Sequence, residues 1–188
     1  MPGIEHHEIA RLTEEYGGAW GINHTRRLLH LIEIIGAGQS YDAEVVWLAA
    51  HLHDWGAYAP WAQPGVDHVV RSLEVAREYL AEHACPADLA AAVLGCIETH
   101  HGGDPGRSIE AVLLSDADAL DFLGVVGVLR DISKSPRNLR QGVDSVRGRR
   151  KKVPALICLP KARELAQERI AEMDALLAAF EAETFGCY

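Results

Sequence analysis

The chain has 188 residues, of which 48% are apolar and 24% charged, ordinary values for a soluble globular protein and enough length for one well-buried domain. A formal net charge of −9 argues against a dedicated nucleic-acid binder, which carries a basic face. The longest apolar stretches, such as Phe122 to Leu129, fall short of a membrane span. The acidic start MPGIEHHEIARLTEE lacks the basic and apolar regions of a secretory signal, and Cys85, Cys96, Cys158 and Cys187 show no CxxC spacing. They read as free thiols in a reducing compartment, so a cytoplasmic protein is expected, without a membrane partner.

In chain order the pattern is helical nearly throughout. Gly17 and Gly18 close a first short helix, and Asn23 can cap a second that turns Leu28, Leu29, Ile32 and Ile35 inward before Gly36 and Gly38 end it. Asp42 can cap a third, whose apolar stripe Val45, Val46, Leu48, Ala49 and Leu52 runs up to His53 and Asp54. Residues 56–67 are rich in Gly and Pro and read as loop. Asp67 caps the next helix, and Pro86 suits the first turn of another with Leu89, Val93 and Ile97 on one face. After the loop HGGDPGRS, a helical region runs from about 109 to 132. The polar, basic stretch 133–154 is expected to be a long loop with at most a short helix, and an amphipathic helix covers about 161–181. No alternating strand pattern of useful length occurs. The expectation is an all-α single domain over 1–188, a helical bundle.

The doublet His53-Asp54 is the most informative feature. It ends an apolar helix, follows His24 on another, and precedes Asp116, Asp118 and Asp121. Imidazoles with carboxylates form a mixed nitrogen and oxygen set suited to a divalent transition metal, and buried charge is costly unless paired or metal-bound. Adjacent residues on a helix lie about 100° apart, so His53 and Asp54 can reach one ion, whereas Asp116 and Asp118 lie about 200° apart and do not share one. Asp116 has a competing role as a hydrogen-bond acceptor, and Asp121 can orient a ligand or bond a basic side chain. Asp118 is the better ligand.

The order H…HD…D, in the contexts HTRRLLHL, LAAHLHDWGAY and LLSDADALDFLG, resembles the HD superfamily of metal-dependent phosphohydrolases over roughly residues 20–130. The helix near 161–181 corresponds to a common accessory. The resemblance implies that His24, His53, Asp54 and Asp118 hold one or two divalent ions per chain (Mn, Fe, Co, Ni, Zn or Mg) that activate water for attack on phosphorus. It also implies catalytic roles for His68, His100 and His101, which either bind a second ion with Asp54 bridging or contact the substrate and move a proton. One ion, with His68 and His100 on the substrate, is the first expectation. His30, His51 and His83 are read as structural. Several relatives place Lys or Arg after the last Asp, where this chain has Ala119. Arg27, Arg71 and Arg107 are therefore the expected substrate-binding cations, with Arg130 as a further alternative. Arg147 to Lys152 (RGRRKK) is either a solvated segment or a collar for a phosphorylated substrate.

These features point to hydrolysis of a nucleotide or another small phosphate ester, with the loops at 56–67, 102–108 and 133–156 setting specificity. The alternatives are a di-iron oxygenase on the same fold and a non-catalytic metal-containing sensing or adaptor domain. Self-association into a homo-oligomer is left open.

Overall fold

The computed structural model describes residues 4–102 and 106–188, and within them every regular element is helical. The chain divides into two compact units, 1–115 and 116–188. The first contains α1 (His6–Ile35), α2 (Ala43–Leu52), a 3-10 turn (Trp55–Ala57), α3 (His68–Glu82), α4 (Ala87–Thr99) and the first part of α5 (Ile109–Asp121). The second contains the rest of α5, then α6 (Gly124–Ser133), α7 (Leu139–Lys152), a 3-10 turn (Val153–Leu156) and α8 (Pro160–Thr184).

In the first unit the expected short helix and its successor are one helical run with a kink, because Gly18 adopts φ 60°, ψ −164°, which glycine reaches without steric cost. Asn23 consequently lies inside α1 and is not a cap: its Oδ1 accepts from Arg26 Nη1 at 3.3 Å. Asp42 does cap α2, accepting from the amides of Glu44 (2.9 Å) and Val45 (3.3 Å), and Asp67 caps α3 through the Val69 amide at 2.9 Å. Pro86 stands just before α4 rather than in its first turn. The α1, α2 and α4 helices meet through buried Ile22, Leu28, Leu31, Ile32, Val46, Ala49, Val93 and Ile97. Between α1 and α2, Thr25 Oγ1 reaches the Gly21 and Ala50 carbonyls at 3.2 and 3.4 Å.

The second unit corrects the expectation of a long loop at 133–154, most of which is the 14-residue helix α7. Its low apolar content hides a helix whose two valines, Val143 and Val146, are fully buried. Its arginines are tied down by the unit's own acids. Arg149 Nε donates to Asp131 at 2.6 Å, Arg150 is bidentate to Asp174 at 2.9 and 2.8 Å, and Arg147 pairs with Glu181 and reaches the Tyr188 hydroxyl at 3.1 Å. The basic stretch is thus largely bracing, with Lys151 and Lys152 exposed. The region expected to be helical over 109–132 is interrupted at Phe122 and Leu123, where Gly124 takes φ 74° to begin α6.

Candidate metal centre

The first unit places His53, His68 and His100 at helix ends. His24 is buried in the middle of α1. His53 is the residue on which α2 terminates, and Asp54 follows it. His68 is the first residue of α3, while His100 closes α4 and His101 follows. Four separate elements therefore supply the cluster.

Asp54 is its hub. Its Oδ2 lies 3.5 Å from His53 Nε2 and 3.7 Å from His24 Nε2, whereas Oδ1 lies 3.8 Å from His68 Nε2. The two carboxylate oxygens thus face different imidazoles. His53, Asp54 and His100 each bring a ligand atom within 4.8 Å of the others, and so do His68, His100 and His101. The rings run in sequence, with centroids 5.3 Å apart for His24 and His53, 5.2 Å for His53 and His100, and 4.1 Å for His100 and His101.

Orientation is set by the backbone. His53 Nδ1 lies 3.0 Å from the Ala50 carbonyl and His100 Nδ1 2.6 Å from that of Ile97. A carbonyl only accepts, so Nδ1 carries the proton in the neutral ring and the Nε2 lone pair faces the cluster. His53 Nε2 is buried with no hydrogen-bond partner among the described residues. An orphaned buried acceptor is costly, and a ligated cation would satisfy it. Imidazole and carboxylate donors in this packing fit a divalent ion.

Glycines let the surrounding elements close in. A Cβ on Gly56 would lie 2.3 Å from the Ser72 nitrogen and 2.5 Å from the His68 carbonyl, so its absence permits the start of α3 to reach the doublet. The Gly56 amide donates to Ser72 Oγ at 2.9 Å. On the other side Tyr58 occupies the notch left by Gly17 and Gly21, its ring within 2.6–2.9 Å of where their side chains would begin. Burial, with the Asp54 charge beside it, pushes the Tyr58 phenol well above its ordinary range. Sequence reasoning did not single out Tyr58; the spacing of Gly17 and Gly21 ahead of His24 was its signal. It also passed over Trp20, an exposed ring one helical turn before His24, stacked on it at 5.7 Å.

The remaining candidates fall in several places. His101 is exposed and His68 is 35% exposed at its side chain. Arg27 is half-buried, three residues past His24 on α1. Arg71 holds the 56–67 loop, its Nε donating to the Trp61 carbonyl at 2.7 Å and its Nη1 to Glu74 at 2.8 Å. Arg107 Nη1 donates to the Thr99 carbonyl at 3.0 Å, close to the end of α4. The 102–108 loop to which it belongs includes Gly103, Asp104 and Pro105, which lie outside the described residues. His51 is buried, bonded to the Trp47 carbonyl at 2.8 Å, and desolvation pushes its pKa down to about 4; it is a neutral packing residue. His83 bonds the Tyr79 carbonyl at 2.8 Å, and His30 is exposed.

In the second unit Asp118 is buried. Asp116 is fully buried and accepts from the Cys158 amide at 2.9 and 3.1 Å and the Leu159 amide at 2.7 Å, fixing the entry to α8. Asp121 pairs with Arg130, and Phe122 lies beneath both Arg130 and Arg149, whose guanidinium carbons are 4.6 and 4.0 Å from its ring centroid.

The HD domain family model matches residues 21–123. The chain belongs to the HD domain family. In sequence it is 31% identical over 123 residues to ribonuclease Y of Sulfurimonas denitrificans, of whose length it spans only 22%. In structure it is similar to Bacillus subtilis YpgQ, crystallised in complex with ADP, with TM-score 0.74, 22% identity, and 97% of this chain and 99% of that one covered. It is also similar to a predicted HD superfamily hydrolase from an uncultured Thermotogales bacterium, with TM-score 0.68, 25% identity, and 94% of this chain and 91% of that one covered.

Proposed function

We propose that the protein is a metal-dependent phosphohydrolase acting on a nucleotide or another small phosphate ester. The observation that carries this is the buried meeting of His53, Asp54 and His100 ligand atoms within 4.8 Å, with Nδ1 of both rings committed to backbone carbonyls. His24 and Asp118 complete the proposed ligand set, in keeping with the H…HD…D order. A divalent ion bound there would lower the pKa of a coordinated water towards neutrality and polarise a phosphoryl oxygen. The chain's own residues do the rest. The two Asp54 oxygens face different imidazoles, which supports a second ion held by Asp54, His68 and His101. His100, whose Nδ1 is bonded to the backbone, offers only Nε2 and serves a single ion. His68 and His101 reach solvent, so a substrate phosphate can approach the ion that they would hold. Arg27, half-buried three residues past His24 on α1, would offset phosphate charge. Binding of ADP by YpgQ supports a nucleotide as the phosphate carrier.

Metal analysis beside a phosphate-release screen over nucleotides and sugar phosphates tests the proposal. Two ions per chain are expected in the wild type, falling to one in His68→Ala, with turnover lost on chelation and in His53→Ala. A metal-loaded protein that turns over none of the panel, or turnover indifferent to chelation and to His53→Ala, would refute it.

A further inference from the structure

In the second unit, α6 is built inside out. A surface helix ordinarily turns its aliphatic residues to the core and its charges to water. The two charged residues of α6, Arg130 and Asp131, are instead buried. Arg130 pairs with Asp121. Asp131 accepts from Arg149 Nε at 2.6 Å, Ser145 Oγ at 3.1 Å and Lys134 Nζ at 3.3 Å. Val125, Val126 and Leu129 are left to face outward, 44%, 41% and 59% exposed. With successive residues about 100° apart, these three share one arc of the helix, which the exposed Ser133 continues. An aliphatic strip in water forfeits the gain that burial would bring, and contiguous exposed apolar surface marks a contact site.

The ends of the strip indicate what covers it. At its start Gly124 packs on α8, with Glu172 Oε2 3.3 Å from where a Gly124 side chain would begin, and Glu172 is exposed. At its end stands Lys134, its side chain 47% exposed. Leu129, the most exposed of the three aliphatics, lies midway between Gly124 and Lys134 in sequence. A second copy laid antiparallel across α6, with the two-fold axis at Leu129, therefore brings Lys134 beside the partner's Glu172 at both ends of the seam. The two helix dipoles then run in opposite senses, each positive end beside a negative one.

We propose that the outward face of α6 is the interface of a homodimer, packed antiparallel about a two-fold axis at Leu129. Such an isologous contact closes on itself and leaves no strip open to a third copy. A ten-residue helix is about 15 Å long, and one such seam covers less than the roughly 800 Å² per partner of a standard stable interface. The dimer is therefore a concentration-dependent one. The proposal is independent of the phosphohydrolase reading.

Sedimentation velocity of the full chain between about 1 μM and about 1 mM tests it. The wild type should pass from monomer to dimer within that range. Leu129→Asp sets two carboxylates against each other at the axis and should stay monomeric, with an unchanged melting temperature at low concentration. Cross-linking gives a second readout that does not depend on how that variant folds. In a Cys158→Ser, Cys187→Ser background oxidised with diamide, Leu129→Cys should form an intermolecular disulfide. Val125→Cys should do so at least about tenfold more slowly, because its two copies stand about 12 Å apart along the seam, beyond disulfide reach. A wild type that is monomeric throughout the range overturns the proposal, as does a dimer that Leu129→Asp leaves intact. Equal cross-linking at the two positions overturns the antiparallel axis and the interface drawn from it.

Discussion

At the scale of single residues, two nearby aspartates separate cleanly. Asp116 accepts three hydrogen bonds from the amides that lead into α8, so Asp116→Ala should lower stability by about 3 kcal/mol, the cost of stranding two partly buried donors, while bound metal remains. Asp118→Ala should do the opposite, removing metal with little change in the melting temperature of the metal-free protein. Metal content and thermal denaturation of the two variants decide it; loss of metal only in Asp116→Ala would reverse the assignment. Their contrast was legible in the sequence because two residues on a helix point to opposed sides. The partners of Asp116 were not, since Cys158 and Leu159 lie more than forty positions away and no local pattern announces the pairing.

At the scale of elements, local chemistry was read correctly where it was strong. Asp42 and Asp67 cap the helices expected of them, because a carboxylate two or three residues ahead of free amides acts within its own turn. Asn23 misled for the converse reason: the chain is helical again directly after the kink at Gly18, so Asn23 lies inside α1 and not at its start. The α7 helix was missed because its stability comes from partners distant in sequence, namely Asp131, Asp174 and Glu181, and from Val143 and Val146 beneath. Gly56 carries the element-scale prediction. A methyl group there meets backbone atoms of α3, which cannot swing aside as a side chain would. Gly56→Ala should cost about 3 kcal/mol and displace His68, seen as lower stability in denaturant titration together with loss of one bound ion. Wild-type metal content at an undiminished unfolding midpoint would show that α3 adjusts freely.

At the scale of the whole molecule, the all-helical fold was legible from periodicity, but the convergence of four elements on Asp54 was not. Periodicity assigns faces within one helix and says nothing of which helix ends meet; the resemblance in motif order supplied that. No helix among the described residues is long and apolar enough to cross a membrane. The cysteines give a test of packing throughout. Cys158 and Cys187 are exposed, Cys85 is half-buried and Cys96 is buried, its thiol pushed up to about 12 by desolvation. The thiolate is the reactive form, so alkylation of native protein at neutral pH should modify Cys158 and Cys187 first, Cys85 more slowly, and Cys96 only after unfolding. Early labelling of Cys96, located by peptide mass spectrometry, would contradict this packing.

The placement of three of the imidazoles at helix termini carries one more consequence. The α2 helix ends at His53 and α4 at His100, so both offer the cluster their carbonyl ends, whereas α3 begins at His68 and offers amide hydrogens. Each terminus behaves as roughly half an elementary charge, negative where carbonyls are exposed and positive where amides are. The peptide dipoles thus create a fixed gradient across the ligands before any side chain ionises. Its negative pole lies at His53 and His100, where it reinforces a bound cation, and its positive pole lies at His68, where it draws a substrate phosphate towards the second ion. That polarity is written in the backbone, and a substitution that leaves the helices intact does not remove it.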